Sequence, residues 1–436
     1  MLNNKDVTVV LLCIEVDSPL VKKQFTPPFG LLVAASVLRD KSINVIIKHL
    51  IFKDDIEQLL IQTCGNAFAV GFTTMTSANL LATIKATRLV KSLGFVTFWG
   101  GTHATLLPEL SLLEQSVDFV LRGEAESNLF EFIQWKMGIV NPSKVPGLCY
   151  KDTYGRIVIS EIPELVPEFK LANHSFDLLE LSPYLEKRDE MECSSNYIHY
   201  KMLPYMTSKG CNKRCSFCYN GAINRFKWRG YNINSVFVEM DWLIENHGVE
   251  GWLFYDDNMF VDKERAWKII DRYKMPSFVE VDLNNIDVEF LNKADRLNVN
   301  RIYIGIESGS DIVLRKINKG INRKSIMEKM RLLGHYSINV ELSFMILFPG
   351  ETPDELSQTL DLIEELSMLD NISINGPKIY NPYPGTELYN ELVASGWIPP
   401  ASNDEWSKLD RKISPFDTGY NLSDKHIKIL NSKGLL

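Results

Sequence analysis

The chain has 436 residues and a formal net charge of -8, with 45% hydrophobic and 23% charged residues. This composition is typical of a soluble globular protein, and the length allows two or three domains. The acidic balance and the lack of a basic patch argue against nucleic acid as the main partner.

Two further features indicate the compartment. No stretch reaches about 18 apolar residues without charge, so no transmembrane helix is predicted, and the first apolar run is expected to be a strand rather than a signal peptide. Three of the seven cysteines are clustered, which favours a reducing compartment and metal chemistry over a disulfide framework. We therefore expect a cytoplasmic protein.

Residues 1–145 alternate short apolar runs with amphipathic stretches. The predicted strands are Thr8–Ile14, Asn44–Ile47, Ala67–Gly71, Val96–Trp99 and Phe119–Leu121, and the predicted helices are Gly30–Lys41, Asp54–Thr63, Ala78–Ser92 and Ser127–Met137. This alternation predicts an α/β domain with a doubly wound, Rossmann-like parallel sheet. Ligands of such sheets bind at the loops that follow the carboxyl ends of the strands.

Three of these loops carry small or polar residues. The loops after the third, fourth and fifth strands contribute Thr73, Thr74, Met75 and Thr76, then Gly100, Gly101, His103 and Thr105, and finally Gly123, Glu124 and Glu126. Hydroxyl groups that open a helix suit a polar or anionic ligand, and glycines let a ligand approach the backbone. The same residues also suit the turns and caps of any doubly wound domain.

The rest of the chain is predicted to contain three segments. Residues 146–200 are expected to form a hairpin over Gly147–Ser160 and a proline-containing linker. Residues 201–390 alternate strand and helix again, as in a partial (βα)6 barrel, whose active site lies at the carboxyl ends of the strands. The six predicted strands are Leu203–Met206, Gly251–Tyr255, Glu280–Asn285, Arg301–Ser310, Glu341–Glu351 and Ser373–Pro384. Residues 391–436 are expected to form a short helical cap over the barrel mouth.

The clustered cysteines are Cys211, Cys215 and Cys218, in the spacing C-x3-C-x2-C. Thiolates this close together suit a soft metal ion or an iron–sulfur cluster. A structural zinc site would need a fourth Cys or His at matching spacing, and the chain has no second C-x2-C pair. A zinc site or a sensor cluster stays open as an alternative. Three ligands on a four-iron cluster leave one iron open to a small molecule.

With Phe217 before the third cysteine, this motif resembles the signature of the radical S-adenosylmethionine (SAM) enzymes, C-x3-C-x-aromatic-C. The resemblance implies that the open iron chelates SAM, which one electron cleaves to a 5′-deoxyadenosyl radical. It also implies a set of SAM contacts at strand ends: Phe217, Asp256, Asp257, Asn284, Glu307, Ser308 and Gly309. Without the resemblance, the paired aspartates also suit a turn and a helix cap.

The segments PPFGLLVAASVL, VGFTTMTSANL, WGGTHATLLPE and DFVLRGEAE resemble the cobalamin-binding domain of cobalamin-dependent radical SAM enzymes, including the class B methylases. The resemblance implies that the three polar loops described above bind cobalamin. The D-x-H-x-x-G motif, which supplies a histidine to cobalt in the wider cobalamin-binding families, is absent, and Asp424-Lys425-His426 lacks its glycine. We therefore expect no histidine on cobalt, with Met75 as a candidate for its lower side.

The resemblance favours methylation of an unactivated carbon, or of a phosphinate phosphorus, in a small-molecule substrate such as a natural-product intermediate. The alternatives are a non-methylating reaction on the same cofactors (ring contraction, cyclisation or sulfur chemistry) and a non-catalytic cobalamin- or redox-sensing module. A flavodoxin- or ferredoxin-type protein is the expected electron donor. Tyr255, Tyr380 and Tyr383 are candidates for a substrate pocket, although such aromatic residues are more often part of the core.

Overall fold

A computed structural model of the chain describes residues 3–18, 25–53, 55–77, 79–185, 200–408 and 424–432. The chain divides into two units: the first comprises Met1–Tyr184 and Ile398–Leu409, and the second comprises Leu185–Trp397 and Asp410–Leu436. Within the described ranges, no helix is both long enough and apolar enough to cross a membrane. Residues 186–199 of the predicted linker lie outside these ranges.

The first unit contains one seven-stranded sheet, in the order β2-β1-β3-β4-β5-β6-β7. Its strands are β1 (Thr8–Val16), β2 (Asn44–Phe52), β3 (Ala69–Thr73), β4 (Thr97–Gly100), β5 (Phe119–Leu121), β6 (Leu148–Lys151) and β7 (Ile157–Val158). Strands β1 to β5 pair in parallel, and β6 and β7 are antiparallel. The predicted doubly wound α/β domain is confirmed.

The hairpin formed by β6 and β7 belongs to this sheet, whereas the prediction grouped it with the linker. Strand β6 pairs along the whole of β5, with Tyr150 opposite Phe119 and Leu148 opposite Leu121. The backbone groups at the outer edge of β5 are thereby paired, and a buried strand edge needs such partners. The predicted boundary at residue 145 therefore differs from the structure.

Helices cover both faces of the first sheet. They are α1 (Phe29–Arg39), α2 (Ile56–Cys64), α3 (Asn79–Ser92), α4 (Thr102–Leu106), α5 (Pro108–Leu113) and α6 (Leu129–Lys136), and the one-turn helix α7 (Ser182–Leu185) follows the hairpin. Leu80, Ile84 and Val90 of α3 are buried, as expected for the apolar stripe of a helix packed on a sheet. The core of this unit thus lies between the sheet and its helices.

The second unit contains a six-stranded parallel sheet, in the order β8-β11-β12-β13-β14-β15. Its strands are β8 (Met202–Tyr205), β11 (Gly251–Phe254), β12 (Ser277–Glu280), β13 (Val299–Glu307), β14 (Asn339–Ile346) and β15 (Ile372–Ile379), while β9 (Ser208–Lys209) and β10 (Arg229–Gly230) form a separate antiparallel pair. When the separate β9–β10 pair is left out, strands that are neighbours in this sheet are also consecutive along the chain. This is the predicted six-stranded βα architecture.

Helices alternate with these strands. They are α8 (Asn220–Asn224), α9 (Ile233–His247), α10 (Lys263–Tyr273), α11 (Val288–Arg296), α12 (Asp311–Lys316), α13 (Arg323–Leu333), α14 (Pro353–Leu366), α15 (Glu387–Ala394) and, near the carboxyl terminus, α17 (Asp424–Ser432). Side-chain caps begin several of them: Asp262, Asp287 and Thr352 each accept a hydrogen bond from a backbone N–H in the first turn.

The segment between α15 and α17 belongs to the first unit. It contains α16 (Asn403–Ser407), which packs against α3. The side-chain amide of Asn403 donates to the carbonyl of Leu110 at 2.8 Å, and Trp406 is fully buried. The prediction placed all of residues 391–436 in one cap over the barrel. The structure differs because the polar and aromatic side chains of α16 have their partners in the first unit.

Candidate active site

The loop that carries the three cysteines follows β8 and is fixed by Asp256. This buried carboxylate accepts hydrogen bonds from the Thr207 N–H at 3.1 Å, from the Thr207 hydroxyl at 2.7 Å and from the Ser208 hydroxyl. Arg265 also donates to the carbonyl oxygens of Thr207 and Tyr231, at 2.8 Å each. The oxygens of Asp256 are therefore occupied in holding the start of the cysteine loop.

Asn220 holds the other end of this loop in place. Its side-chain oxygen accepts from the Cys211 N–H at 3.1 Å, and its amide donates to the Cys211 carbonyl at 2.7 Å. The Cys218 N–H donates to the Cys215 carbonyl at 3.1 Å. The turn around the cysteines is thus ordered by hydrogen bonds of the protein itself, and all three thiols face the same space.

The three cysteines line a cavity of about 250 Å³. Most of its other lining residues are polar and come from the carboxyl ends of β11, β12 and β13 and from neighbouring loops: Lys213, Asn220, Asp257, Asn258, Glu280, Asp282, Tyr303, Glu307 and Lys319. Burial raises the pKa of Cys215 and raises that of Cys218 to about 12. A metal centre bound here must therefore displace thiol protons.

The types of ligand in the cavity distinguish a cluster from a structural zinc ion. Three cysteines line the cavity, and no other Cys or His is among its lining residues in the described part of the chain. A structural zinc site would need a fourth such ligand. Three thiolates with one position left open suit a 4Fe–4S cluster, in which each thiolate binds a different iron.

Asp257 and Asn258 give the cavity hydrogen-bond acceptors. Asp257 accepts from the Gly210 N–H at 2.9 Å, and burial raises its pKa. The side-chain amide of Asn258 donates to Cys211 Sγ at 3.4 Å, and its Oδ1 is buried with no hydrogen-bond partner among the described residues. A buried acceptor without a donor is costly. These groups therefore suit a ligand with an ammonium group, such as the methionine part of SAM.

Glu280, at the end of β12, adds a further carboxyl group to the cavity wall. Burial, together with repulsion from the nearby Asp257 and Asp256, raises its pKa to about 8. Without a bound cation, this carboxyl group is protonated at neutral pH. A cationic ligand would favour its charged form.

Glu307 and Lys319 form a buried ion pair, with Nζ and Oε1 3.0 Å apart. Burial opposes the charge of Lys319, but Glu307 and the Cys215 sulfur outweigh it, so its pKa is raised. Gly305 makes room for this pair, since an added Cβ would lie 2.2 Å from Glu307 Oε1. Lys319 also lies over the ring of Phe217, with Nζ 5.9 Å from its centroid. The pair fixes one wall of the cavity.

The remaining predicted SAM residues lie away from the cavity lining. The Ser308 hydroxyl and the Gly309 N–H bond to the hydroxyl of Thr359 in α14, at 2.9 and 3.0 Å. Asn284 is exposed, and its amide donates to the Gly320 carbonyl at 3.3 Å. Of the Glu307-Ser308-Gly309 motif, only Glu307 lines the cavity.

The predicted tyrosines do not line this cavity either. Tyr255 packs edge-on against Phe278, with centroids 5.8 Å apart, and Tyr380 is buried against Phe348, with centroids 5.4 Å apart. The ring of Tyr383 contacts that of Tyr219, with centroids 6.5 Å apart. The tyrosine that does line the cavity is Tyr303, from β13. Tyr255 and Tyr380 thus belong to the core.

In the first unit, Thr74 links two of the three polar loops. Its backbone N–H and hydroxyl donate to the Gly100 carbonyl at 2.9 and 2.7 Å, and its own carbonyl accepts from the His103 N–H at 3.1 Å. Gly101 has a φ of +88°, and an added Cβ would lie 2.6 Å from the Thr74 carbonyl oxygen. The glycine here allows the close approach of another loop, whereas the sequence suggested the approach of a ligand.

His103 is fully buried, and both of its ring nitrogens are hydrogen bonded. Nε2 lies 2.9 Å from the side-chain oxygen of Asn403, and Nδ1 lies 2.9 Å from the Thr76 hydroxyl. The Asn403 amide donates to Leu110, which fixes its oxygen toward the histidine. His103 therefore donates through Nε2 and accepts through Nδ1. Burial lowers its pKa to about 4, so the ring is neutral.

The third loop is tied to the second by Thr105. Its hydroxyl accepts from the Gly123 N–H at 3.1 Å, and its carbonyl accepts from the Arg122 side chain at 2.9 Å. A Glu124 carboxylate oxygen accepts from the Val166 N–H at 2.8 Å. Thr73 and Gly100 end their strands, and Glu126 lies in the turn before α6. The three predicted loops therefore meet at one edge of the sheet.

Met75 is the exception in these loops, because its side chain is 60% exposed between the buried Thr74 and Thr76. A large apolar side chain left open at the ligand edge of a parallel sheet suits a ligand with a broad apolar face. Both ring nitrogens of His103 have protein partners. The absence of a histidine on cobalt, expected from the missing D-x-H-x-x-G motif, stays a prediction.

Two family models match the chain. Residues 21–133 match the B12 binding domain, and residues 205–363 match the Radical SAM superfamily. The chain is a radical SAM enzyme with a B12-binding domain. Its cofactors are accordingly a 4Fe–4S cluster, SAM and cobalamin, as the resemblance predicted.

Known relatives of this radical SAM enzyme include methyltransferases. An uncharacterised methyltransferase of Pyrococcus horikoshii is 26% identical over 383 residues, which are 85% of this chain and 80% of the relative. The cytidylyl-2-hydroxyethylphosphonate methyltransferase of Streptomyces wedmorensis is 24% identical over 338 residues, which are 70% of this chain and 62% of that protein.

A solved structure shares the fold of the radical SAM enzyme described here. The radical SAM methyltransferase TsrM of Kitasatospora setae, determined with cobalamin and a 4Fe–4S cluster bound, matches with a TM-score of 0.68 at 16% identity. The match covers 99% of this chain and 89% of that chain. The predicted fold class is confirmed by this likeness.

Sequence reasoning missed three cavity residues of this radical SAM enzyme. Asn258, Glu280 and Lys319 line the cavity beside the cysteines. Asn258 and Glu280 each lie at or just after the end of a parallel strand, so the rule that ligands bind at carboxyl ends points to them. Lys319 follows α12 with no local signal, and its place becomes evident only from its ion pair with Glu307.

Proposed function

We propose that this enzyme transfers a methyl group derived from SAM to an unactivated carbon, or to a phosphinate phosphorus, of a small-molecule substrate. The observation that carries the proposal is the single cavity in which the three cysteines meet Asp257 and Asn258. The similarity to methyltransferases, one of them named for a phosphonate substrate, supports methyl transfer.

The protein residues have separate roles in this proposal. The cysteines hold the cluster, while the Asp257 carboxylate and the Asn258 oxygen accept hydrogen bonds from the methionine ammonium group. Phe217 and the Glu307–Lys319 pair line another part of the cavity. When bound, the cluster supplies the electron for reductive cleavage of SAM, and cobalamin supplies a methyl carrier.

The charges in the cavity favour SAM as a cation. Asp282 is paired with Lys213 at 3.1 Å, and Glu307 is paired with Lys319 at 3.0 Å. Asp257 and Glu280 have no ion-pair partner among the described residues. SAM carries a sulfonium and an ammonium group, so it would supply positive charge beside these two carboxyl groups of the cavity lining.

The electron for the cluster must come from a low-potential donor, and we propose a flavodoxin- or ferredoxin-type protein in the cytoplasm. The cysteine loop is part-exposed, with all three cysteines neither fully buried nor fully exposed. A donor therefore does not need to open the core to approach the cluster. The electron-donor proposal is tested separately by running the assay below with a purified flavodoxin system in place of a chemical reductant such as dithionite.

The function is tested by anaerobic incubation of the reconstituted enzyme with methyl-deuterated SAM, cobalamin, reductant and a library of small molecules that includes phosphinates. Mass spectrometry should find a product with a labelled methyl group, together with 5′-deoxyadenosine and S-adenosylhomocysteine. The Cys218→Ala variant, treated identically, should give none of these. Deoxyadenosine with an unlabelled but altered product would instead establish ring closure, ring contraction or sulfur chemistry. No deoxyadenosine under any condition would support the sensing module.

A further inference from the structure

A second group of side chains of metal-ligating types lies in the first unit, outside the cysteine-lined cavity. Ligand atoms of Cys13, Glu15 and His49 all lie within 4.8 Å of one another. Cys13 and His49 are directly opposite in the parallel pairing of β1 with β2, and Glu15 is two residues further along β1. Because side chains alternate along a strand, Cys13 and Glu15 point to the same face of the sheet.

The distance between His49 and Glu15 suits two ligands of the same metal ion. His49 Nε2 and Glu15 Oε1 are 3.3 Å apart, which is long for a hydrogen bond between such groups. Nitrogen and oxygen ligands of one tetrahedral zinc ion, with bonds of about 2.0–2.1 Å, are separated by about 3.3 Å. A modest shift of the Cys13 sulfur would complete three ligands of the types that zinc prefers.

His49 and Glu15 each make a further hydrogen bond through the atom that is not part of their mutual contact. The other ring nitrogen of His49, Nδ1, lies 2.8 Å from the Tyr184 hydroxyl. The second oxygen of Glu15 accepts from the side-chain amide of Asn79. Phe25 stacks on the imidazole, with ring centroids 3.9 Å apart. Outer hydrogen bonds of this kind orient the ligands of metal sites and fix the histidine tautomer.

The same three residue types occur in cysteine nucleophile sites, but the contacts oppose that interpretation. An activated cysteine needs a base within hydrogen-bond reach, but Nδ1 of His49 is hydrogen bonded to the Tyr184 hydroxyl and Nε2 faces the Glu15 carboxylate at 3.3 Å. Burial and the charge of Glu15 also raise the pKa of the Cys13 thiol, which opposes its ionisation in the absence of a metal. A metal ion, by contrast, would bind the sulfur as a thiolate and release the proton.

We propose that Cys13, Glu15 and His49 bind one zinc-type divalent ion, with water as the fourth ligand. The ion would join the carboxyl ends of β1 and β2 and, through His49, fix the hydroxyl of Tyr184. The proposed site shares no residue with the cysteine-lined cavity, since its residues all belong to the first unit and the three cysteines belong to the second.

The test uses the full chain with Cys211→Ala, Cys215→Ala and Cys218→Ala, which removes the competing thiolates. Titration with Co²⁺ should give about one equivalent of binding with a sulfur-to-cobalt charge-transfer absorption, and Zn²⁺ should displace the Co²⁺. Adding Cys13→Ser should abolish that absorption. The absence of the absorption in the triple variant, or its persistence after Cys13→Ser, would overturn the proposal.

Two further variants separate metal binding from folding. Cys64→Ser changes another cysteine of the first unit, buried in α2, and should leave the Co²⁺ spectrum unchanged. Tyr184→Phe removes only the outer partner of His49 and should weaken zinc binding roughly tenfold or more. Circular dichroism of each variant checks that the fold is kept. Zinc that is displaced stoichiometrically by hydroxocobalamin would contradict the proposal, because it would place these residues in the cobalamin site.

Discussion

The side chain of Asn258 donates a hydrogen bond to the sulfur of Cys211 at 3.4 Å, while its own amide oxygen is buried without a partner among the described residues. One residue thus contacts a cluster ligand with its nitrogen and offers an acceptor to the cavity with its oxygen. Since hydrogen bonds to sulfur tune the potential of iron–sulfur clusters, Asn258 is placed to affect both the cluster and SAM binding.

Asn258→Leu keeps the size of the side chain and removes both of these functions. We expect the iron content to be unchanged, the dissociation constant of SAM to rise about tenfold, and the reduction potential of the cluster to become more negative. Equilibrium binding of SAM and anaerobic redox titration measure the two effects. Asn284→Leu is the control, because Asn284 is exposed and lies outside the cavity lining. Equal SAM affinity in both variants would contradict the assignment.

The adjacent Asp256 and Asp257 should respond differently to the same substitution. Asp257→Asn should weaken SAM binding about tenfold or more and leave the stability nearly unchanged, because it removes a charge that faces the cavity. Asp256→Asn should lower the free energy of unfolding by about 2 kcal/mol, since it replaces an acceptor of three donors with an amide. Urea unfolding and SAM binding of both variants give the comparison. If Asp257→Asn lowered the stability and Asp256→Asn weakened SAM binding, the roles assigned to the two aspartates would have to be exchanged.

Single substitutions of the three cysteines test the ligand assignment. Each of Cys211→Ala, Cys215→Ala and Cys218→Ala should lose the visible absorbance of the cluster and should keep cobalamin binding. The reason is that the cysteines belong to the second unit and the loops that contain Thr74 and His103 belong to the first. Optical spectra of the reconstituted variants measure both cofactors. A full cluster in the triple variant would refute the assignment.

Much of the fold could be predicted because it depends on local patterns. The alternation of apolar runs with amphipathic helices predicts the parallel sheets, and the cysteine spacing predicts the metal ligands, an assignment that stays a prediction. Predicted and observed strands differ mainly at their ends. Residues 280–285 were predicted as one strand end, but β12 stops at Glu280 and Asp282 begins a 3-10 turn by accepting from the Asn284 N–H at 2.9 Å. This shift moves Asn284 out of the cavity.

The direction of side chains at strand ends could not be predicted from the sequence. Asp256 and Asp257 are neighbours in a motif, and only the tertiary contact with Thr207 decides which of them faces inward. The packing of α16 in the first unit could not be predicted either, because the hydrogen bond between Asn403 and His103 joins residues 300 positions apart. Contacts over such distances leave no periodic signal in the chain.

Glu280 should make the stability of the cofactor-free protein depend on pH. Its pKa is raised from 4.5 to about 8, so between these values the folded state holds a proton that the unfolded state has lost. The contribution of Glu280 to the free energy of unfolding is therefore fully present below about pH 4.5 and is lost as the pH rises through 8. The free energy of unfolding falls by up to about 1.4 kcal/mol per pH unit over this range. The urea midpoint should fall over this range.

Glu280→Gln should remove most of this dependence, because glutamine is neutral at every pH. The midpoint of the variant should exceed that of the unchanged protein at pH 8, and the two should converge in mild acid. Addition of SAM should flatten the profile of the unchanged protein, since a bound cation favours the ionised carboxylate. A variant profile that still falls as steeply would assign the pH dependence to other groups.

His103 should matter for the stability of the cobalamin-binding unit and not for the ligation of cobalt. His103→Ala leaves the Asn403 oxygen and the Thr76 hydroxyl without their partner, so we expect the free energy of unfolding to fall by about 2–4 kcal/mol. The electron paramagnetic resonance spectrum of bound, reduced cobalamin should be the same in both proteins, with no nitrogen coupling from a protein histidine.

Acid should have a similar effect on the unchanged protein. The pKa of His103 is lowered from 6.5 to about 4, so its contribution is complete above pH 6.5 and is lost as the pH falls toward 4. His103→Ala should therefore be less sensitive to acid over this interval than the unchanged protein, and Thr76→Val, which keeps the bond to Asn403, should lie between them. A change in the cobalt spectrum of His103→Ala would show instead that this histidine reaches the metal. Equal acid sensitivity in all three proteins would exclude His103 as the group that titrates.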